Sequence, residues 1–168
     1  MQVSGLPVTQ TLAEIPEGRA GVVATLKAMR ELVRSGKKSL PVRTLALQIV
    51  GNLAGKDWAG ELTAIHNWVR DNIRFVRDIT DVETLHDAER VLQFGQGDCD
   101  DKSILFCSLA ESIGHPTRFV AIGFAPEVYE HVYSETLVGR SWVASDTTEP
   151  VAFGWAAPNP VTKLIIYN

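Results

Sequence analysis

The side chains that could do chemistry in this chain gather around one cysteine. In FGQGDCDDKSILFCSLAESIG, residues 94–114, Cys99 follows Gly-Asp directly and opens an apolar helical run. Asp98 is a good N-cap, which places Cys99 in the first turn, where unpaired N–H groups and the helix dipole favour an anion. That environment lowers a thiol pKa. Asp98, Asp100 and Asp101 push the other way, and Lys102 offsets them only in part. A thiolate here needs a partner; without one, Cys99 is a buried structural cysteine. Cys107, mid-helix with no cap or acid–base company, reads as packing. On one helix the two cysteines are separated by about 12 Å of axial rise, too far for a disulfide, so Cys99 should be a free thiol.

The partner should be a histidine, and the chain has four. His66 falls in a helical run between Ile65 and Trp68, as helix surface or core edge. His86 precedes a helix start and reads as loop, and His115 follows the helix end at Gly114. His131 differs because it heads EHVYSETLVGRSWVASDTT, a hairpin pattern. Gly139-Arg140 suits a two-residue turn with Gly first, as type II′ requires. Val138 then opposes Ser141, Leu137 opposes Trp142 and Tyr133 opposes Asp146. His131 and Tyr133 share a face, which makes Asp146 a diagonal neighbour of His131 within side-chain reach. A slip of one residue would separate them.

The pair alone could be a polar cross-strand contact on a solvent face. With Cys99 it forms a Cys-His-Asp constellation. The acid orients the imidazole, which takes the thiol proton and holds the thiolate as an ion pair. Sequence spacing does not join His131 to Cys99; the tertiary fold must. A zinc site from the same three residues lacks a Cys-x-x-Cys or His-x-x-x-His anchor.

The elements that must position these residues are legible in the pattern. Residues 1–20, with Pro7 and Pro16, read as an extended arm that docks on another subunit or is disordered. Residues 21–34 form a helix with Val22, Leu26 and Met29 on one side, ended by Ser35-Gly36. Pro41 suits the first turn of a second helix running to about Leu53. Asp57 caps a third helix through Leu62, Ile65 and Val69, which runs into alternating residues at Asn72–Arg77. A short helix over Asp87–Gln93 and a Gly95–Gly97 loop lead to the central helix, Cys99 to about Ile113. Ser103, Phe106, Ala110 and Ile113 lie below Cys99 on one apolar stripe. Strands follow at Thr117–Phe124, Tyr129–Val138, Ser141–Ser145 and Lys163–Tyr167. Helices first and strands second describe an α+β domain. The division expected is an arm over 1–20, a helical extension over 21–56 and a core over 57–168.

A net charge of −4 argues against nucleic acid as the main partner. The basic run RSGKKSLPVR, residues 34–43, reads as a solvated loop between helices. The N-terminus has no basic start and no continuous apolar core, so no signal peptide is expected. No window approaches the roughly 20 apolar residues of a membrane span. The expectation is a cytoplasmic protein with no membrane insertion.

The run GDCDDKSILFCSLAESIGHPTRFVAIG, then EHVYSE, then WVASDTT, resembles the transglutaminase-like cysteine-protein superfamily over about residues 60–150. Its pattern is Gly-x-Cys opening a helix, a helix ending Gly-x-Pro-x-Arg, a strand histidine, and Asp-x-Thr after a Trp. The resemblance implies a papain-like α+β core with the cysteine helix packed on an antiparallel sheet. It implies Cys99 as nucleophile, His131 as base and acid, and Asp146 as orienter. Gln93 sits where papain-like enzymes carry a glutamine that donates to the oxyanion, with Gln96 also near. Where the family often has Asp-Pro-Thr, this chain has Asp146-Thr-Thr, which should loosen the turn after the acid without moving it. The implied activity is a thiol-dependent peptidase or amidase acting through a thioester, without metal or cofactor. Its partner would be a peptide or protein substrate. The compact GDCDD form also resembles phage and prophage proteins, with cell-wall peptide as one substrate. The alternative is a phage virion, tail or assembly protein that keeps the fold with an idle triad and docks through its N-terminal arm.

Overall fold

A computed structural model describes residues 15–77 and 84–168 of the chain. Helices α1 (Gly18–Gly36), α2 (Leu40–Val50) and α3 (Trp58–Asn72) come first, then a short strand β1 (Arg74–Phe75) and helix α4 (Ala88–Phe94). Strand β2 (Gln96–Gly97) leads into α5 (Cys99–Ser112), followed by β3 (Thr117–Gly123), β4 (His131–Val138), β5 (Ser141–Ser145) and β6 (Thr162–Tyr167). This is the α+β order that the sequence implies. Of the expected N-terminal arm, residues 1–14 lie outside the described residues, and Gly18–Ala20 already belong to α1.

Capping explains most of the helix starts. Ser39 Oγ accepts the Val42 N–H at 3.3 Å, with Pro41 in the first turn of α2. Asp57 accepts the Gly60 N–H at 3.0 Å for α3, and Asp87 the Arg90 N–H at 2.8 Å for α4. α2 ends at Val50, short of the expected Leu53. The Gly95–Gly97 segment is not simply a loop. After the chain turns at Gly95, Gln96 and Gly97 run parallel to Arg74 and Phe75. Arg74 N–H donates to Gly95 O at 2.9 Å and Val76 N–H to Gly97 O at 3.0 Å.

The largest difference from the sequence reading concerns α5. A single apolar stripe is expected, yet every residue from Asp101 to Ala110 is buried. The reason is its neighbours: α1, α2, α3 and α4 pack around one side, and β3 and β4 cover the other. Polar groups on such a helix must find partners inside the protein. Lys102 Nζ donates to Ile73 O at 2.6 Å and to Arg70 O at 3.4 Å. Asp101 accepts the His86 N–H at 2.9 Å and pairs with His86 Nδ1 at 2.9 Å. Cys107 Sγ donates to Ser134 Oγ at 3.3 Å, the packing role that its position suggests.

The main sheet has the order β5-β4-β3-β6, antiparallel throughout. One continuous core joins Leu26, Met29 and Val33 of α1 and Val42 and Ala46 of α2 to Ile104, Phe106 and Leu109 of α5. On the far side of the sheet Val120, Ile122, Tyr133 and Ala144 form a smaller cluster with Ala156 and Ala157. Among the described residues no helix is long and apolar enough to cross a membrane.

The β4–β5 hairpin has the expected register, with Val138 opposite Ser141 and Leu137 opposite Trp142. Gly139 carries φ +62° while Arg140 stays out of the left-handed region, as a type II′ turn requires. Gly139→Ala should therefore cost about 1–2 kcal/mol, the penalty of a Cβ in that conformation. A thermal unfolding curve should show a midpoint lower by about 2–8 °C for a chain of this size. An unchanged midpoint would mean that the turn does not constrain the register.

Candidate active site

Cys99 is the first residue of α5, and Asp98 caps the helix by accepting the Asp101 N–H at 3.0 Å. Its Sγ lies against Asp100 Oδ1 at 3.6 Å and within reach of the Val132 backbone amide, one residue after His131. Cys99, Asp100, His131 and Val132 all line one cavity of about 380 Å³. The fold thus brings His131 and Cys99 to the lining of the same cavity, where the first turn of α5 meets the start of β4.

His131 and Asp146 are joined as the hairpin register implies. The last ladder pair, Ser134 with Ser145, sets Asp146 across from Tyr133 and diagonal to His131. His131 Nε2 meets Asp146 Oδ2 at 2.7 Å. With Nε2–H donating to the carboxylate, Nδ1 is the nitrogen left to exchange a proton. The His131 ring stacks on Tyr133, with centroids 6.3 Å apart, which further limits its rotation. Asp146 is 1% exposed, and its Oδ1 accepts the Thr148 N–H at 3.1 Å. That bond restrains the turn after the acid.

The electrostatics differ from expectation. Burial, then Asp100 and Asp98, hold the Cys99 thiol well above the ordinary thiol range, and the Val132 amide opposes them only in part. The capped helix start alone thus leaves the thiol with a raised pKa, and any thiolate depends on His131 as its partner.

Behind the acid lies a buried polar layer that the sequence reading missed. His66, expected at the surface or core edge, is fully buried. Its Nδ1 meets Ser145 Oγ at 2.9 Å, and its Nε2 meets Val151 O at 3.0 Å. Both contacts suit a neutral ring that accepts from the hydroxyl and donates to the carbonyl. Burial pushes the His66 pKa down. Burial also lowers the Lys102 pKa to about 8, against the raising fields of Asp146 and Asp71. The signal for His66 was its spacing, since 62, 66 and 69 fall on one face of α3 with Leu62 and Val69.

Gln93 is not brought to the thiol. It is exposed on α4, its Oε1 accepts from Arg90 Nη1 at 3.4 Å, and it does not line the cavity. Gln96 accepts from Arg74 Nη2 at 2.8 Å. The turn at Gly95 and the β1–β2 pairing direct both glutamines elsewhere.

The family model of the transglutaminase-like superfamily matches residues 43–147, from α2 through Asp146. The chain belongs to this superfamily. Cys99, His131 and Asp146 all fall inside the matched stretch, whereas α1 lies outside it. No curated protein matches the chain. A candidate cysteine protease from Cytophaga hutchinsonii superposes with a TM-score of 0.53 at 22% identity, over 76% of this chain and 46% of its own. A candidate protease from Parabacteroides distasonis superposes with a TM-score of 0.62 at 13% identity, over 96% of this chain and 34% of its own. At such identities the likeness is one of fold, and this superfamily member spans less than half of either protein.

Two predictions follow from the electrostatics. Iodoacetamide labelling of Cys99, read by peptide mass spectrometry across pH 6–10, should accelerate only above the ordinary thiol range. Asp100→Asn should make it several-fold faster at pH 8, because one of the carboxylates that raise the thiol pKa is removed. A parent rate already at plateau by pH 6 would refute the raised thiol pKa. The second concerns His66, whose folded pKa is depressed below its unfolded value. The unfolded chain binds that proton near pH 6.5 and the folded one does not, so stability is present above that pH. It falls as pH drops below, by up to about 1.4 kcal/mol per unit. His66→Gln should flatten the slope of urea-unfolding free energy between pH 5 and 6.5; identical slopes would rule this out.

Proposed function

We propose that this chain is a thiol-dependent amide hydrolase, a cysteine peptidase or amidase that cleaves a peptide or protein amide through a thioester. The observation that carries the reading is the His131–Asp146 pair, held at 2.7 Å with the acid buried, with His131 and Cys99 lining the same cavity. The coarser statement, a cysteine-peptidase type of protein, agrees with the superfamily and with its structural neighbours.

In this reading Cys99 Sγ attacks the scissile carbonyl while its proton passes to His131 Nδ1. Burial and the neighbouring carboxylates raise the thiol pKa, so the transfer depends on His131 being in place. Asp146 stabilises the imidazolium and keeps Nδ1 facing the reaction. The Cys99 backbone N–H, at the start of α5, is the oxyanion donor that the chain itself supplies. His131 then gives the proton to the leaving nitrogen as the C–N bond breaks, leaving a thioester. Water attacks the thioester with His131 again as base, which releases the carboxylate and restores the thiol.

The alternative, a phage structural or assembly protein with an idle triad, gives no reason to keep an open cavity beside the cysteine. The chemistry is tested by incubating the protein with a mixed peptide library and following chain cleavage and side-chain deamidation by mass spectrometry. Cys99→Ala should abolish product, while His131→Ala and Asp146→Asn should each cost roughly 10²–10⁴-fold. Added primary amine distinguishes hydrolysis from amide exchange. Product that survives Cys99→Ala, or no product from any peptide, would sink the proposal.

A further inference from the structure

The cavity beside Cys99 is not built by the superfamily core alone. One wall consists of Ile15, Pro16, Val22, Thr25 and Leu26, from α1 and the residues just before it. These lie outside the stretch that the family model matches. The rest of the lining includes Asp100, Glu130 and His131 together with Cys99, from the start of α5 and the start of β4. The cavity thus combines a reacting set of side chains with an apolar set from α1 and the residues before it.

Two glycines make that wall. Gly18, at φ +66°, turns the chain back at the start of α1. Gly21 is buried, and a Cβ there would collide with the carbonyl of Pro16. The Ile15–Pro16 segment therefore lies directly over the first turn of α1. Arg19 Nη1 donates to Tyr129 OH at 2.9 Å and ties α1 to the β3–β4 loop, whose Tyr129 also lines the cavity. This wall is held from two sides, and nothing in the superfamily chemistry of Cys99 requires it.

Resting on the amide-hydrolase reading, we propose that the α1 wall is a specificity subsite. It takes an apolar side chain of the acyl-donor peptide, next to the scissile carbonyl. The volume, about 380 Å³, is near the lower end of small-ligand pockets and suits one large side chain with its flanking backbone. An apolar group there is desolvated against Ile15, Val22 and Leu26 while its carbonyl stays at Cys99. An acidic side chain would meet no cation among the described lining residues and two carboxylates.

The test needs no known substrate. Second-order rates of Cys99 alkylation at pH 9 are measured with iodoacetamide and with N-benzyl iodoacetamide, which carries the same reacting group on an apolar tail. The benzyl-to-parent reagent ratio is normalised to the ratio for free glutathione. A normalised ratio of about ten or more is expected, equivalent to roughly 1.4 kcal/mol of recognition. Val22→Trp, which fills the apolar part of the cavity, and Gly21→Ala, which displaces Ile15–Pro16, should each bring it toward one. A parent ratio near one, or a ratio unchanged in both variants with intact circular dichroism, overturns the subsite. The hydrolase reading fails separately, when peptide turnover is absent or indifferent to Cys99→Ala, whatever the alkylation ratio.

Discussion

Everything in this molecule depends on the burial of α5. A helix surrounded by four others and a sheet has no solvent face to which its polar residues can turn. Asp101 and Lys102 are each 2% exposed, so each must be matched inside. Removing one partner of such a buried charge costs several kcal/mol. The matches also have direction. Lys102 grips the carbonyls of Arg70 and Ile73 that close α3, and Asp101 holds the His86 segment before α4. Both contacts sit one turn below Cys99 and pin the first turn of α5 to its surroundings. The thiol is thereby fixed at the end of the helix that lines the cavity.

The second fixed point is the β4–β5 hairpin. Its turn sets the register, the register sets Asp146 diagonal to His131, and the Thr148 amide holds the acid's other oxygen. Helix and hairpin pack along their length, with Cys107 Sγ against Ser134 Oγ, and at the site they meet where the Val132 amide approaches Cys99 Sγ. Burial and the Asp98 and Asp100 charges raise the thiol pKa there, while the Val132 amide opposes them in part.

α1 shows how a superfamily core can be completed by an element outside it. Leu26, Met29 and Val33 contribute to the same core as α5, and the start of the same helix walls the cavity. Stability and the shape of the cleft are therefore carried by one element, and a substitution on its inner face acts on both.

The sequence by itself determined the local devices. Asp98 before Cys99 implied a capped helix start, Gly139-Arg140 implied the turn, and the turn length implied the His131–Asp146 contact. Each depends on residues near in sequence or related by a two-residue loop, where backbone geometry leaves few choices. The motif order around Cys99, His131 and Asp146 likewise pointed to the superfamily and to its α+β fold. Only the tertiary structure decided which faces were buried and which loops came near the thiol. It buried α5 on nearly all sides, sank His66 behind Asp146, and sent Gln93 to the surface of α4. Those outcomes depend on how separate elements pack, a long-range balance of desolvation and fit that no local pattern encodes. The sign of the electrostatics at Cys99 belongs with them, because helix dipole and carboxylates were both legible while the extent of burial that tipped them was not.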